Sequence, residues 1–184
     1  MGLKGQRINN NSLKYQEPEL ITGVEDILRK ASEKGLYSGD SLNIEEVIKT
    51  SFPDIELRYE QMQSNYSGYF RNVNGKWIIG VNKLHHRNRK RYTLAHELGH
   101  YILHKEKNVD IIDTTFFRNN ETDSIEYMAN EFAAKLLMPE DKVRDLVDNQ
   151  GIKNIGDLAE KFEVSASAMK YRIISLGYKL KDNV

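Results

Sequence analysis

The chain contains no cysteine. Disulfides and thiolate metal sites are therefore excluded, and any metal ion must be held by histidine, aspartate or glutamate. Net charge is absent too: 27 basic residues balance 27 acidic ones. No global field draws the protein to nucleic acid or to an anionic membrane. No run of about 18 apolar residues occurs, so no membrane-spanning helix is expected. Met1 to Gln16 is polar and lacks the apolar centre of a secretory signal. Proline is scarce, with three in 184 residues. Pro18, Pro53 and Pro139 each fall where a helical pattern begins or ends. These absences describe a soluble, cytoplasmic protein of one domain plus a small appendage. The 39% of hydrophobic residues suffices for a core.

Three segments follow from the patterning. Residues 1–16, rich in glycine and asparagine, read as a flexible lead-in. Residues 17–150 carry the main domain. Ile21, Val24, Ile27, Leu28 and Ala31 recur at helical spacing, with Gly35 as a stop. Asn43 is a cap candidate for a short helix ended by Pro53. Alternation at Ile55, Leu57 and Tyr59 marks a strand. The pair Asn74-Gly75, between strands at Ser67–Val73 and Lys76–Val81, suits a tight hairpin because both turn residues need positive φ. The reading is a small antiparallel sheet ending at Asn82, with a short further strand between Val109 and Phe117. Residues 151–184 form a C-terminal helical region. There Asp157 to Met169 reads like a helix-turn-helix, with Ser165 capping its second helix.

Between sheet and tail lie two helices. A basic run (Lys83, Arg87, Arg89, Lys90, Arg91) is expected mostly before the first, because cations oppose the dipole at a helix N-terminus. That helix, from about Tyr92 to His104, carries His96-Glu97-Leu98-Gly99-His100. Residues i and i+4 share a face, so His96 and His100 can aim at one ion with Glu97 beside them as a general base. Gly99 between them suggests that another backbone comes close. His85 and His86 read as surface residues.

A catalytic zinc needs a third protein ligand. His104 lies about 12 Å along the axis from His96 at 1.5 Å per residue, too far to share an ion. The preferred ligand is Glu126, on the edge of the apolar stripe of a second helix from about Thr122 to Met138. Glu121, Asp123 and Glu131 are the competing carboxylates. Asn130, one turn after Glu126, is placed to orient a ligand histidine. Tyr101, or a tyrosine near residue 69, is a candidate for stabilising an oxyanion. Trp77, Ile79 and Val81 would bind substrate if their strand is an exposed edge onto which a peptide adds; an internal strand is the alternative.

Arg89 to His104, followed by Glu126 to Pro139, resembles the ImmA/IrrE family of zinc metallopeptidases. The strand Trp77 to Asn82 and the tail Leu158 to Gly177 are similar as well. The likeness covers roughly Ile44 to Gly177, and neither motif block departs from the pattern. The resemblance implies an α+β, gluzincin-like domain in which a small antiparallel-rich sheet packs on the active-site helix and a second ligand helix. It implies zinc on His96, His100 and Glu126, with Glu97 as catalytic carboxylate. It further implies an anti-repressor that cleaves a helix-turn-helix repressor of a mobile element, phage or stress-response pair. The alternative is a module that sequesters its partner without cutting it, as in a toxin–antitoxin pair. Direct DNA binding is not expected, because Lys161, Lys170 and Arg172 are the only cations in the 155–177 region.

Overall fold

The computed structural model describes residues 23–104, 111–112 and 120–180. The expected lead-in over residues 1–16 lies outside them. So does most of the strand anticipated between Val109 and Phe117, whose described part is β6 (Ile111–Ile112).

Helix α1 (Val24–Glu33) buries Val24, Ile27 and Ala31, and the chain leaves it through Gly35 at φ +65°. Strands β1 (Tyr37–Ser38) and β2 (Ser41–Leu42) pair antiparallel around Gly39. At two residues each they are too short for alternation to reveal them. Helix α2 (Ile44–Ser51) opens as the capping rule predicts, with the Asn43 side chain accepting from the Glu46 amide at 3.2 Å.

The main sheet comprises β3 (Ile55–Glu60), β4 (Gly68–Val73), β5 (Lys76–Asn82) and β6, in the order β3-β5-β4-β6. Asn74 and Gly75 turn the β4–β5 hairpin at φ +52° and +83°. The sheet is mixed, because β3 runs parallel to β5, and alternation alone carries no strand direction. Residues 61–67 take the chain across to β4. Fully buried Asn82 secures that crossing: its Nδ2 donates to the carbonyls of Met62, Gln63 and Tyr66 at 3.3, 3.1 and 2.9 Å.

This topology corrects one expectation. Strand β5 is paired along both edges, with β3 and with β4. It has no free backbone groups for an incoming peptide. Ile79 and Val81 point into the core, and Trp77 stacks on Phe70 at 4.7 Å. Trp77, Ile79 and Val81 therefore act in packing, not as a substrate edge.

Helix α3 (Arg87–His104) lies against β4 and β5 with Leu94, Ala95, Leu98 and Tyr101 buried. It starts five residues earlier than the dipole argument suggests. Contacts elsewhere outweigh the dipole. Arg87 reaches the Glu163 carboxylate at 3.0 Å. Arg91, nearly buried, donates to Ser41 Oγ at 2.8 Å and the Glu163 carbonyl at 3.2 Å. Arg89 donates to Ser67 Oγ at 2.9 Å, and His86 Nδ1 accepts from the Asn88 amide at 3.2 Å.

Helix α4 (Asn120–Leu137) packs across α3 through Ala129, Phe132 and Ala133. After Pro139, α5 (Glu140–Arg144) passes into one π-helical turn, Asp145–Asn149. The tail pair, α6 (Ile155–Phe162) and α7 (Ala166–Ser175), belongs to the same core through Leu158, Phe162, Met169 and Ile173. Ser165 caps α7, accepting from the Ala168 amide at 3.1 Å. Between the two helices Glu163 sits at φ +51°, a costly conformation for a non-glycine residue. Its carboxylate and carbonyl are the groups that Ser41, Arg87 and Arg91 hold. Arg172, within the second helix of the expected helix-turn-helix, is buried and donates to the Met138 carbonyl at 2.9 Å. Tyr171 donates to Glu131 at 2.7 Å.

The α3–α4 crossing turns on Gly99. A Cβ there would lie 3.1 Å from Phe132 Cδ1 and 3.3 Å from both Ala129 Cα and its carbonyl oxygen. Gly99→Ala gains about 1 kcal/mol of helix propensity and spends it on this contact, so it is expected to be close to neutral. Gly99→Val is expected to destabilise by roughly 1–3 kcal/mol, read as a lower urea midpoint at unchanged m-value. An unchanged midpoint for Gly99→Val would show that the crossing has slack.

Candidate metal centre

Helix α3 presents His96 and His100 from successive turns, their rings edge to face at 4.6 Å. Their Nε2 atoms stand 3.0 Å apart. From α4, Glu126 Oε2 lies 3.2 Å from His96 Nε2, and Oε1 lies 3.4 Å from His100 Nε2. Around a tetrahedral ion with bonds of about 2.0–2.1 Å, neighbouring ligand atoms are ~3.3 Å apart. The triangle made by these three side chains has that size. Two imidazole nitrogens and one carboxylate also form a donor set suited to a first-row divalent metal.

The base of the site is dry. His100 and Glu97 are fully buried and His96 nearly so, whereas the Glu126 side chain is 29% exposed. Among the three converging side chains Glu126 is the most open to solvent. Burial alone would raise the Glu126 carboxyl. Hydrogen bonds from His100 and His96, with their charge, outweigh that and hold it well below the usual carboxylate range. It stays ionised and supplies the negative donor.

Glu97 lies beneath the start of β4. A Cβ on Gly68 would come within 3.2 Å of Glu97 Oε1, 2.5 Å of Thr93 Cγ2 and 2.6 Å of the Gly80 carbonyl. Only a glycine lets this strand sit there. The sequence reading passed over Gly68, although a glycine opening a strand is itself a signal of close backbone approach.

Asn130, expected to orient a ligand histidine, instead pairs with a residue the sequence reading missed. Tyr92, one turn before His96, donates to the Asn130 backbone carbonyl and Oδ1, each at 3.3 Å. Burial, and then the Glu131 charge, push the Tyr92 phenol up to about 12. A raised phenol pKa favours folding while the group is protonated. The link between the two ligand helices is thus present below about pH 10 and is lost as pH rises through about 12.

Several candidates fall away. Tyr101 gives its hydroxyl to Asp54 Oδ2 at 2.5 Å, in an aromatic cluster with Phe52, Phe70 and Trp77. Tyr69 donates to Glu60 at 3.1 Å. Neither hydroxyl is directed at the histidines. Glu131 turns to Tyr171 and Lys135. The side chains of His104, Glu121 and Asp123 lie outside the described residues. His86 is exposed, and His85 Nε2 sits 3.2 Å from the Ser64 carbonyl, apart from the converging group.

Residues 52–173 match the family model described as the IrrE N-terminal-like domain, peptidase family M78. The radiation response metalloprotease IrrE of Deinococcus radiodurans is 35% identical over 100 residues, covering 52% of this chain and 30% of that relative. The chain thus spans under a third of the relative's length. The family match contains both helices of the site, α3 and α4, with His96, Glu97, His100 and Glu126. By that match the chain belongs to the ImmA/IrrE family and carries its metallopeptidase domain.

Proposed function

We propose that the protein is a zinc endopeptidase in which His96, His100 and Glu126 hold the metal and Glu97 carries the proton. The observation behind this reading is the convergence of two imidazole nitrogens and one carboxylate at 3.0–3.4 Å on a buried glutamate's helix. Bound there, zinc supplies Lewis-acid activation of water and of a peptide carbonyl.

The chain's own residues supply the rest. Glu97 follows His96 in α3 and is fully buried. It takes a proton from the attacking water as oxygen bonds to the carbonyl carbon. It returns that proton to the amide nitrogen as the C–N bond breaks. Gly68, which has no side chain to crowd Oε1, leaves its carboxylate room beside β4. Tyr92 and Asn130 keep the two ligand helices in register. The burial of His96, Glu97 and His100 keeps the surrounding dielectric low, so the developing charges are poorly screened.

The substrate is a protein. The relative's name describes a metalloprotease, and the family resemblance supports a helix-turn-helix repressor as target, with cleavage relieving repression. Among the described residues no helix is long and apolar enough to cross a membrane. Together with the absence of cysteine, this supports action on a cytoplasmic partner.

Three variants test the assignment. Glu97→Gln should retain zinc and lose roughly 10²–10⁴-fold in repressor cleavage; wild-type cleavage would remove Glu97 from the chemistry. Glu126→Ala should weaken zinc binding by more than the ~10–100-fold typical of losing an outer hydrogen-bond partner. Equal zinc affinity by competitive chelator titration would exclude Glu126 as ligand. Gly68→Ala should retain zinc but cut turnover at least ~10-fold by displacing Glu97. A wild-type protein that binds the repressor with zinc in place and never cuts it would favour sequestration instead.

A further inference from the structure

Away from the metal centre, the π-helical turn, α6, α7 and the segment after α7 enclose an open groove of about 810 Å³. That is within the ~300–1,000 Å³ range of ligand-binding clefts. Its floor is apolar: Ile152, Ile155, Leu158 and Ile173 are buried or half-buried. Its rim carries Lys153, Lys170 and Lys179, all exposed, and among the described residues the lining includes no aspartate or glutamate.

Several of the protein's other cations are held within the chain. Arg29, Lys49, Arg58, Lys76, Arg87 and Arg144 are each paired with a carboxylate within the chain. Among the described residues, Lys153, Lys170 and Lys179 have neither an ion pair nor a hydrogen-bond partner. Three unpaired cations around one apolar trough leave a surface that is complementary to negative charge at its edge and to hydrocarbon at its floor. Lys179 and the neighbouring wall residues Tyr178 and Leu180 lie beyond residue 173, where the family match ends.

We propose that this groove binds an acidic amphipathic helix of a partner protein. Such a helix lays apolar side chains at i, i+3, i+4 and i+7 into the trough and sets flanking carboxylates against the three lysines. A bare phosphate backbone would use the lysines but leave the apolar floor exposed to water, so duplex nucleic acid fits poorly. The rim charges steer the encounter and exclude basic segments, while the floor supplies the contact area. This site is separate from catalysis and does not depend on the peptidase reading.

The test uses the full chain and fluorescein-labelled synthetic peptides followed by fluorescence anisotropy. One peptide carries leucine at i, i+3, i+4 and i+7 with glutamate on the flanks. Its control has lysine in place of each glutamate. The acidic peptide should bind at least about tenfold more tightly than the basic one, and less tightly as salt rises. Lys153→Glu/Lys170→Glu/Lys179→Glu, which alters only exposed positions, should lose roughly tenfold for the acidic peptide and reverse the preference. Ile155→Ser should weaken both peptides, with circular dichroism confirming the fold. Equal binding of the acidic peptide by wild type and the triple variant would overturn the proposal. So would no binding at all, or selective binding of duplex DNA or anionic phosphatidylglycerol vesicles while the peptide stays inert.

Discussion

The separation between α3 and α4 is the constraint on which the rest of the structure depends. Two histidines on one helix make only half of a metal centre. The other half must come from a neighbour close enough for a glutamate side chain to reach between them. Gly99 makes that possible, because the Ala129 backbone and the Phe132 ring occupy the space where a larger side chain would stand. The helix gives up about 1 kcal/mol of intrinsic stability at this position. In return Glu126 comes within 3.2 and 3.4 Å of the two imidazoles.

Around that crossing, buried polar groups hold geometry that apolar packing alone would leave loose. Asn82 binds three carbonyls of the 61–67 crossing and so sets where β4 begins, directly under Glu97. Arg91 ties the first turns of α3 to the α6–α7 turn through Ser41 and Glu163. Arg172 ties α7 to the end of α4 at Met138. Tyr101 ties the sheet-facing side of α3 to Asp54. Each group satisfies hydrogen bonds that would otherwise be costly to bury. Each also joins segments far apart in sequence, so the tail helices brace the ligand helices as part of one core.

Much of this was legible in the sequence because it rests on local rules. The i, i+4 spacing of His96 and His100, the apolar stripe beside Glu126, the caps at Asn43 and Ser165, and the Asn74-Gly75 turn are all decided within a few residues. What was not legible depends on long-range contacts. The N-terminus of α3 was set too late because the dipole is a local effect, whereas the contacts of Arg87 and Arg91 with Glu163 span more than 70 residues. Strand β5 reads the same at an edge or in the middle of a sheet, and only pairing with both β3 and β4 decides it. The roles of Tyr101 and Tyr92 were not legible because the partners of their hydroxyls, Asp54 and Asn130, lie 47 and 38 residues away.

The central claim is the ligand set, two imidazoles from one helix and one carboxylate from the next. X-ray absorption spectroscopy of the zinc-loaded protein reads that set directly, because imidazole rings scatter differently from carboxylate oxygens. The account predicts a four-coordinate centre with nitrogen and oxygen neighbours at about 2.0–2.1 Å and a fit that requires two imidazoles. A fit that requires three imidazoles, with His104 or another histidine in the place assigned to Glu126, would contradict it.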